Sequence, residues 1–171
     1  FFDVQGTPKD LQSAQDLAKR NKYQFQWWAC SLVNAQPYQG KKKGADSGID
    51  GLIFFQDEAQ AAKKIIVSVK SGGNVGVSMV KDLMTTVENE KAQIGLFVTL
   101  AEPTRPMTVQ AAAAGFYHSA YMGDYAKIQI LTIEGLLSGK GPQYPDFSRG
   151  GLTFKKAAME KKKSDQGKLG L

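Results

Sequence analysis

Asp50 and Lys70 are the two side chains whose surroundings suit chemistry. Asp50 stands between Ile49 and Gly51, among glycines that let a ligand come close to backbone. Lys70 ends the run Ile65-Ile66-Val67-Ser68-Val69. The stretches carrying them, residues 49–55 and 64–70, are joined by so few residues that an antiparallel hairpin is expected. A hairpin sets the start of one strand beside the end of its partner, which makes Asp50 and Lys70 neighbours. An acid that holds a divalent cation, beside a lysine that positions water or offsets developing negative charge, suits phosphodiester hydrolysis. The Val69 carbonyl is a further candidate metal ligand. Taken alone, the two residues equally fit a turn-capping aspartate and the solvated end of a strand.

Composition narrows the metal. Cys30 is the single cysteine and His118 the single histidine, so an internal disulfide and zinc sites built on Cys and His are excluded by count. His118 reads as a surface or packing residue. A hard cation on carboxylate and backbone oxygen, Mg²⁺, is the metal that fits. The formal charge is +6, but residues 155–171 hold six lysines against two acids, a net +4, which leaves +2 for the rest. Most of the basic excess is therefore a tail, and the overall charge is weak support for a nucleic-acid partner. No apolar run reaches the roughly 20 residues that cross a bilayer. No membrane role is expected, and the reducing cytoplasm is the expected setting. Phe1 in place of Met suggests a piece of a longer protein.

The elements that must position the pair follow from periodicity. Residues 8–20 read as a helix opened by Pro8, with Leu11, Ala14, Leu17 and Ala18 as an apolar stripe. A second helix spans about 23–33, with Phe25, Trp28 and Leu32 sharing a face. Trp27 and Trp28 are expected to pack in the core rather than to stack on bases. Residues 36–48 form a polar, lysine- and glycine-rich connection into the hairpin, whose turn is residues 57–62. A glycine loop leads into a helix over 78–91, and residues 94–100 are a fully apolar strand, so a right-handed crossover and a parallel pair are expected. An alanine-rich helix over 104–115, a strand over 127–133 and a helical turn at 134–137 close the domain. The expected fold is α/β, a mixed β-sheet flanked by helices, over residues 1–140, with 141–171 a basic, largely irregular tail.

Ordered blocks make the reading more specific. Gly44-Ala-Asp-Ser-Gly-Ile-Asp-Gly, Ile65-Ile-Val-Ser-Val-Lys-Ser-Gly, Val75-Gly-Val-Ser-Met-Val-Lys-Asp-Leu and Ile94-Gly-Leu-Phe-Val-Thr-Leu together resemble the Mrr-type restriction endonuclease domain of the PD-(D/E)xK nuclease superfamily. Tyr23-Gln-Phe-Gln-Trp-Trp-Ala, Gly115-Phe-Tyr and Ile128-Gln-Ile-Leu-Thr-Ile-Glu resemble the variant at the C-terminal end of bacterial N4/N6-type DNA methyltransferases. The resemblance runs from about Gly6 to Gly139. It implies a restriction-endonuclease-like fold, Mg²⁺ and DNA, with Asp50 in the place of the first acid of the motif and Lys70 in that of its lysine. The chain departs from the pattern at Ser68, where the motif has Asp or Glu (or Gln in Mrr-type domains). It departs again at Gln26, the nearest candidate for a glutamate on the preceding helix. Ser68 offers one neutral oxygen where a carboxylate would add charge. Asp46 on the same glycine loop is a candidate substitute ligand.

Candidate DNA contacts are Lys41, Lys42 and Lys43 before the acidic loop, although a solvated loop fits them equally. Ser71 and Asn74 belong to a glycine loop before a helix N-terminus, which favours anions but lacks the ending of a P-loop. Thr104 and Arg105 follow the end of a strand, a common ligand location in α/β sheets. The expected function is a Mg²⁺-dependent DNA endonuclease domain, joined to a methyltransferase domain in a longer restriction-modification chain, with a homodimer as a candidate assembly. The alternatives are a catalytically inactive DNA-binding module that positions a methyltransferase, and a protein-docking domain.

Overall fold

The computed structural model describes residues 7–38, 48–58 and 61–145. Helix α1 (Leu11–Arg20) opens at Asp10, whose carboxylate accepts from the Ser13 N–H at 2.8 Å, and it buries Ala14 and Leu17. Asn21 both ends α1 and caps α2 (Lys22–Leu32), accepting from the Gln24 N–H. One residue thus turns the chain between two helices that pack on each other.

Five strands follow in one sheet: β1 (Gln36–Pro37), β2 (Gly51–Gln56), β3 (Ala62–Lys70), β4 (Ile94–Thr99) and β7 (Ile128–Thr132), in the order β1-β2-β3-β4-β7. The β2–β3 pair is the antiparallel hairpin expected from the short connection, with Gly51 opposite Val67. β3, β4 and β7 are parallel. Helix α3 (Val77–Asn89) makes the crossover and buries Val80, Leu83 and Val87 against the sheet. α4 (Arg105–Ala113) begins at the Thr104 cap, and Gly115 follows it at φ +82°. α5 (Ile133–Leu137) is the helical turn after β7.

Side-chain alternation divides the core into two layers. Ile65, Val67 and Val69 of β3 meet Phe25, Ala29 and Cys30 of α2 on one face. Ile66 meets Val80, Leu83 and Val87 of α3 on the other. β4 is buried along its whole length, as its continuous apolar run requires.

Five features differ from the sequence expectations. α1 begins at Leu11 behind its Asp10 cap, so Pro8 lies outside the helix it was expected to open. β1 opens the segment expected to be a polar connection, pairing Gln36 with Leu52 and Pro37 with Gly51. A second sheet, β5 (Phe116–Ser119) with β6 (Gly123–Ala126), occupies a region for which no strands were expected. Trp27 does not pack in the core: it is 57% exposed, whereas Trp28 leans on Phe25 at 5.8 Å between ring centroids. Residues 141–145, expected in the tail, include Tyr144, whose ring lies 5.7 Å from that of Phe55, and buried Pro145.

Candidate active site

Asp50 sits immediately before β2 and is half-buried. Its N–H donates to the Val67 carbonyl at 2.9 Å, although Gly51 is the residue in register with Val67. Two residues of one strand thus face one of the other, as at a β-bulge, a distortion that re-aims side chains at the margin of a sheet. The re-aimed Asp50 carboxylate accepts the Val69 N–H through Oδ2 at 2.7 Å. Its carbonyl accepts from the Tyr38 N–H at 2.9 Å and lies 3.7 Å from Cys30 Sγ. Gly51 is required by the same crowding, since a Cβ there would stand 2.9 Å from that sulfur. Burial, and then the Asp50 carboxylate, push the Cys30 thiol up to about 12.

Val69 presents its main chain to the β2 side of β3, because the alternate residues Lys64 and Lys70 direct their carbonyls to the β4 side. Its carbonyl therefore points to the side on which Asp50 stands. Ser68 and Lys70 share the opposite parity, with Ile66, and face the α3 layer. Ser68 is 5% exposed, whereas Lys70 is half-buried at the strand end and pairs with Thr99. Asp50, Ser68, Val69 and Lys70 are thus brought to one end of the sheet.

The same end carries the loops expected to meet phosphate. Ser71 is half-buried and Asn74 exposed in the loop that enters α3. The N-cap of that helix is Gly76, with no side-chain cap hydrogen bond, and a Cβ at Gly72, Gly73 or Gly76 would meet nothing within 4 Å. An uncapped, open helix start of this kind leaves backbone N–H groups for an anion. Thr104 and Arg105 are exposed at the start of α4, after the β4 end that holds Thr99. Gln26 is half-buried on α2, one turn before Cys30 on the same helix face. Asp46, Lys41, Lys42 and Lys43 lie outside the described residues.

A divalent cation has a limited donor set here. Among the described residues there is no group of three His, Cys, Asp or Glu that could hold a metal ion. Asp50 would supply one carboxylate, and Val69 and Ser68 could add only neutral oxygens. Hard oxygen donors of this type fit Mg²⁺, which retains waters and takes as few as one protein carboxylate.

A second polar cluster was missed in the sequence. Asp57, expected in the hairpin turn, is completely buried. Its carboxylate accepts from Tyr117 Oη at 2.5 Å and Ser119 Oγ at 2.7 Å, and pairs with Lys63 Nζ at 2.8 Å. Lys63 also reaches Tyr117 Oη at 2.7 Å and Glu58 at 3.2 Å. Burial raises the Asp57 carboxyl, but hydrogen bonds from Lys63, Tyr117 and Ser119 together hold it below its ordinary value. Burial likewise opposes the charge on Lys63, and bonds to Asp57, Tyr117 and Glu58 carry its ammonium above the ordinary range. The cluster joins the turn end of the β2–β3 hairpin to β5, far along the strands from Asp50. His118 lies outside it, exposed and 2.7 Å from Asp124.

The comparisons with known proteins bear on the family. The family model of the Mrr catalytic domain, a restriction endonuclease, matches residues 17–122, a stretch that runs from α1 into the β5–β6 hairpin and includes Asp50 and Lys70. No curated protein and no solved structure matches the chain. No helix among the described residues is long and apolar enough to cross a membrane. The match covers more than half of the sequence, and the five-stranded mixed sheet between helices accords with it: the chain belongs to the Mrr family of restriction endonucleases, and its function is of nuclease type.

Proposed function

We propose that this domain is a Mg²⁺-dependent DNA endonuclease that hydrolyses phosphodiester bonds at the sheet end holding Asp50 and Lys70. The observation that carries the proposal is the Asp50 carboxylate fastened to the Val69 N–H, on the side of β3 to which the Val69 carbonyl points. Asp50 and Val69 would hold the cation, with Ser68 as a neutral neighbour and Asp46 as a further ligand. When bound, Mg²⁺ polarises the phosphate and lowers the pKa of a water. Lys70, one residue beyond Val69, orients that water or offsets charge building on the phosphate oxygens. The open start of α3, with Ser71 and Asn74, receives an adjacent phosphate, and Thr104, Arg105 and Lys41, Lys42 and Lys43 extend the contact along the DNA backbone. In this reading Gln26 is the position on α2 at which a second acid would strengthen the site. The reading includes a cytoplasmic setting, a methyltransferase domain in the same longer chain and a second copy of this chain as partner.

Plasmid nicking in Mg²⁺ or Mn²⁺ tests the assignment. Cleavage by the wild type is expected to disappear in both Asp50→Ala and Lys70→Ala; equal cleavage in all three proteins rejects it. The second reading, a non-cutting DNA-binding module, is favoured by Ser68 and by the single carboxylate among the described donors. It requires salt-sensitive DNA binding without metal and no product on prolonged incubation.

A further inference from the structure

α2 buries one aromatic face and exposes another. Phe25 is fully buried and Trp28 packs against it, which is how aromatic residues on a helix ordinarily serve. Tyr23 and Trp27 do the opposite, at 75% and 57% exposure. Four residues apart, they are neighbours on one helix surface, roughly 6 Å apart along the axis. Trp27 adjoins Gln26, so the exposed pair borders the helix face that meets the site.

The direction of α2 brings this surface to the catalytic end. β1 runs toward Asp50, since Tyr38 beyond its end bonds the Asp50 carbonyl, and α2 precedes β1 by a short turn. Cys30 already touches Asp50, so Trp27 and Tyr23, one and two turns earlier, extend past it. α1 and α2 both pack against α5, which starts at the carboxyl end of β7.

Charge identifies the occupant. Lys19, Arg20 and Lys22 crowd the elbow, and from Leu17 to Tyr38 there is no Asp or Glu. All three cations are exposed, and none makes an ion pair among the described residues. Lys19 and Arg20 suit the last turn of α1 through the helix dipole, but that role explains neither Lys22 nor the aromatic pair. Aromatic faces beside unpaired cations match the stacking platform and backbone groove that bind single-stranded nucleic acid. In an intact duplex each base face is covered by its neighbour, so Tyr23 and Trp27 can stack only on bases that have left the helix.

We infer that Tyr23 and Trp27, with Lys19, Arg20 and Lys22, form a platform for unpaired bases of DNA beside the cleavage site. The inference rests on the nuclease reading and adds a substrate preference to it: DNA with a single-stranded, gapped or locally opened segment binds more tightly than closed duplex.

The test is fluorescence anisotropy of the full chain in EDTA, with a labelled oligo-dT strand and a duplex of equal length. Trp27→Ala and Tyr23→Ala are each expected to weaken binding to the single strand by about tenfold and to change duplex binding by less than about twofold, with Trp27→Phe retaining most of the affinity. Joint replacement of Lys19, Arg20 and Lys22 by Ala is expected to weaken both DNAs and flatten the salt dependence. Unchanged single-strand affinity in Trp27→Ala, or equal loss on both DNAs, overturns the inference. So does a concentration-dependent dimer that Trp27→Ala abolishes while DNA binding stays intact, since the surface then serves a second copy of the chain. Binding in EDTA involves no cleavage, so failure here leaves the nicking result for Asp50 and Lys70 standing. Absence of nicking by the wild type, with single-strand binding retained, would count only against the nuclease reading.

Discussion

The Asp50 carboxylate accepts the backbone N–H of Val69 at 2.7 Å, so the acid proposed to hold the cation is also the group that closes the open end of the β2–β3 ladder. Under the proposed function the side chain has two duties, one in folding and one in chemistry, and substitutions can separate them.

Asp50→Asn keeps an oxygen for the Val69 N–H but removes the negative charge, whereas Asp50→Ala removes both. A hydrogen bond to a charged group contributes about 1.5–3 kcal/mol. Urea unfolding is expected to show Asp50→Ala destabilised by about that amount and Asp50→Asn by markedly less. Both are expected to lose nicking activity. Equal stability of the two variants would mean that the hydrogen bond to Val69 contributes nothing to the fold.

Ser68→Glu restores a carboxylate at the position where the motif carries an acid. Ser68 is buried, so an added charge is costly in the absence of a cation. The variant is expected to melt below the wild type in EDTA and to regain stability as Mg²⁺ is added, by the linkage of binding to folding. Nicking is expected to need about tenfold less Mg²⁺ than in the wild type. Thermal scans across a Mg²⁺ series, with wild type as control, measure both effects.

The Asp57–Lys63 pair makes stability depend on pH at both extremes. The Asp57 carboxyl is lowered from an ordinary 3.8, so its contribution is present above that value and fades as pH falls through the lower folded value. The Lys63 ammonium is raised from an ordinary 10.5, so its contribution is complete below that pH and is lost as alkali rises through the higher folded value. Between these limits Lys63→Ala leaves the Asp57 charge buried and is expected to cost about 3–5 kcal/mol. The double variant Asp57→Leu with Lys63→Met is expected to recover part of this loss, read from denaturant midpoints at neutral pH.

Gly95 on β4 lies directly under α3. A Cβ there would stand 2.7 Å from Val87 Cγ2 and 3.0 Å from Ile128 Cδ1. Val87 is β-branched and stiff, so Gly95→Ala is expected to destabilise by about 1–3 kcal/mol. Adding Val87→Ala should make room for the new methyl group, and a double-mutant cycle would show the two changes to be coupled.

Much of this molecule is legible in residue order, and the limits have physical causes. The β-branched run ending at Lys70 and the short link from Phe55 announced the hairpin, and the spacing of Val80, Leu83 and Val87 announced the helix over β3 and β4. The neighbourhood of Asp50 and the Ser68–Lys70 strand end followed from the hairpin alone. The bulge did not, because it depends on which carbonyl the Asp50 N–H selects. Trp27 was misread because consecutive helical residues point about 100° apart, so Trp27 and Trp28 cannot share one buried stripe. Asp57 looked like a turn residue because its partners, Tyr117 and Ser119, stand some sixty positions away. β5 and β6 escaped notice because His118, Asp124 and two glycines blur any apolar alternation, and a buried carboxylate anchors β5 instead.

The outer margin of β7 has a consequence of its own. Gln129 donates to the carbonyls of Ala126 and Gln143, at 2.9 and 2.7 Å, and accepts the Gln143 N–H at 2.9 Å. One amide side chain thereby straps residues 141–145 to a border strand whose far side has no sheet neighbour among the described residues. Bare strand borders are templates for aggregation. The strap works as a selvedge, finishing the weave at this border, while the opposite end of the parallel strands carries the site proposed for DNA.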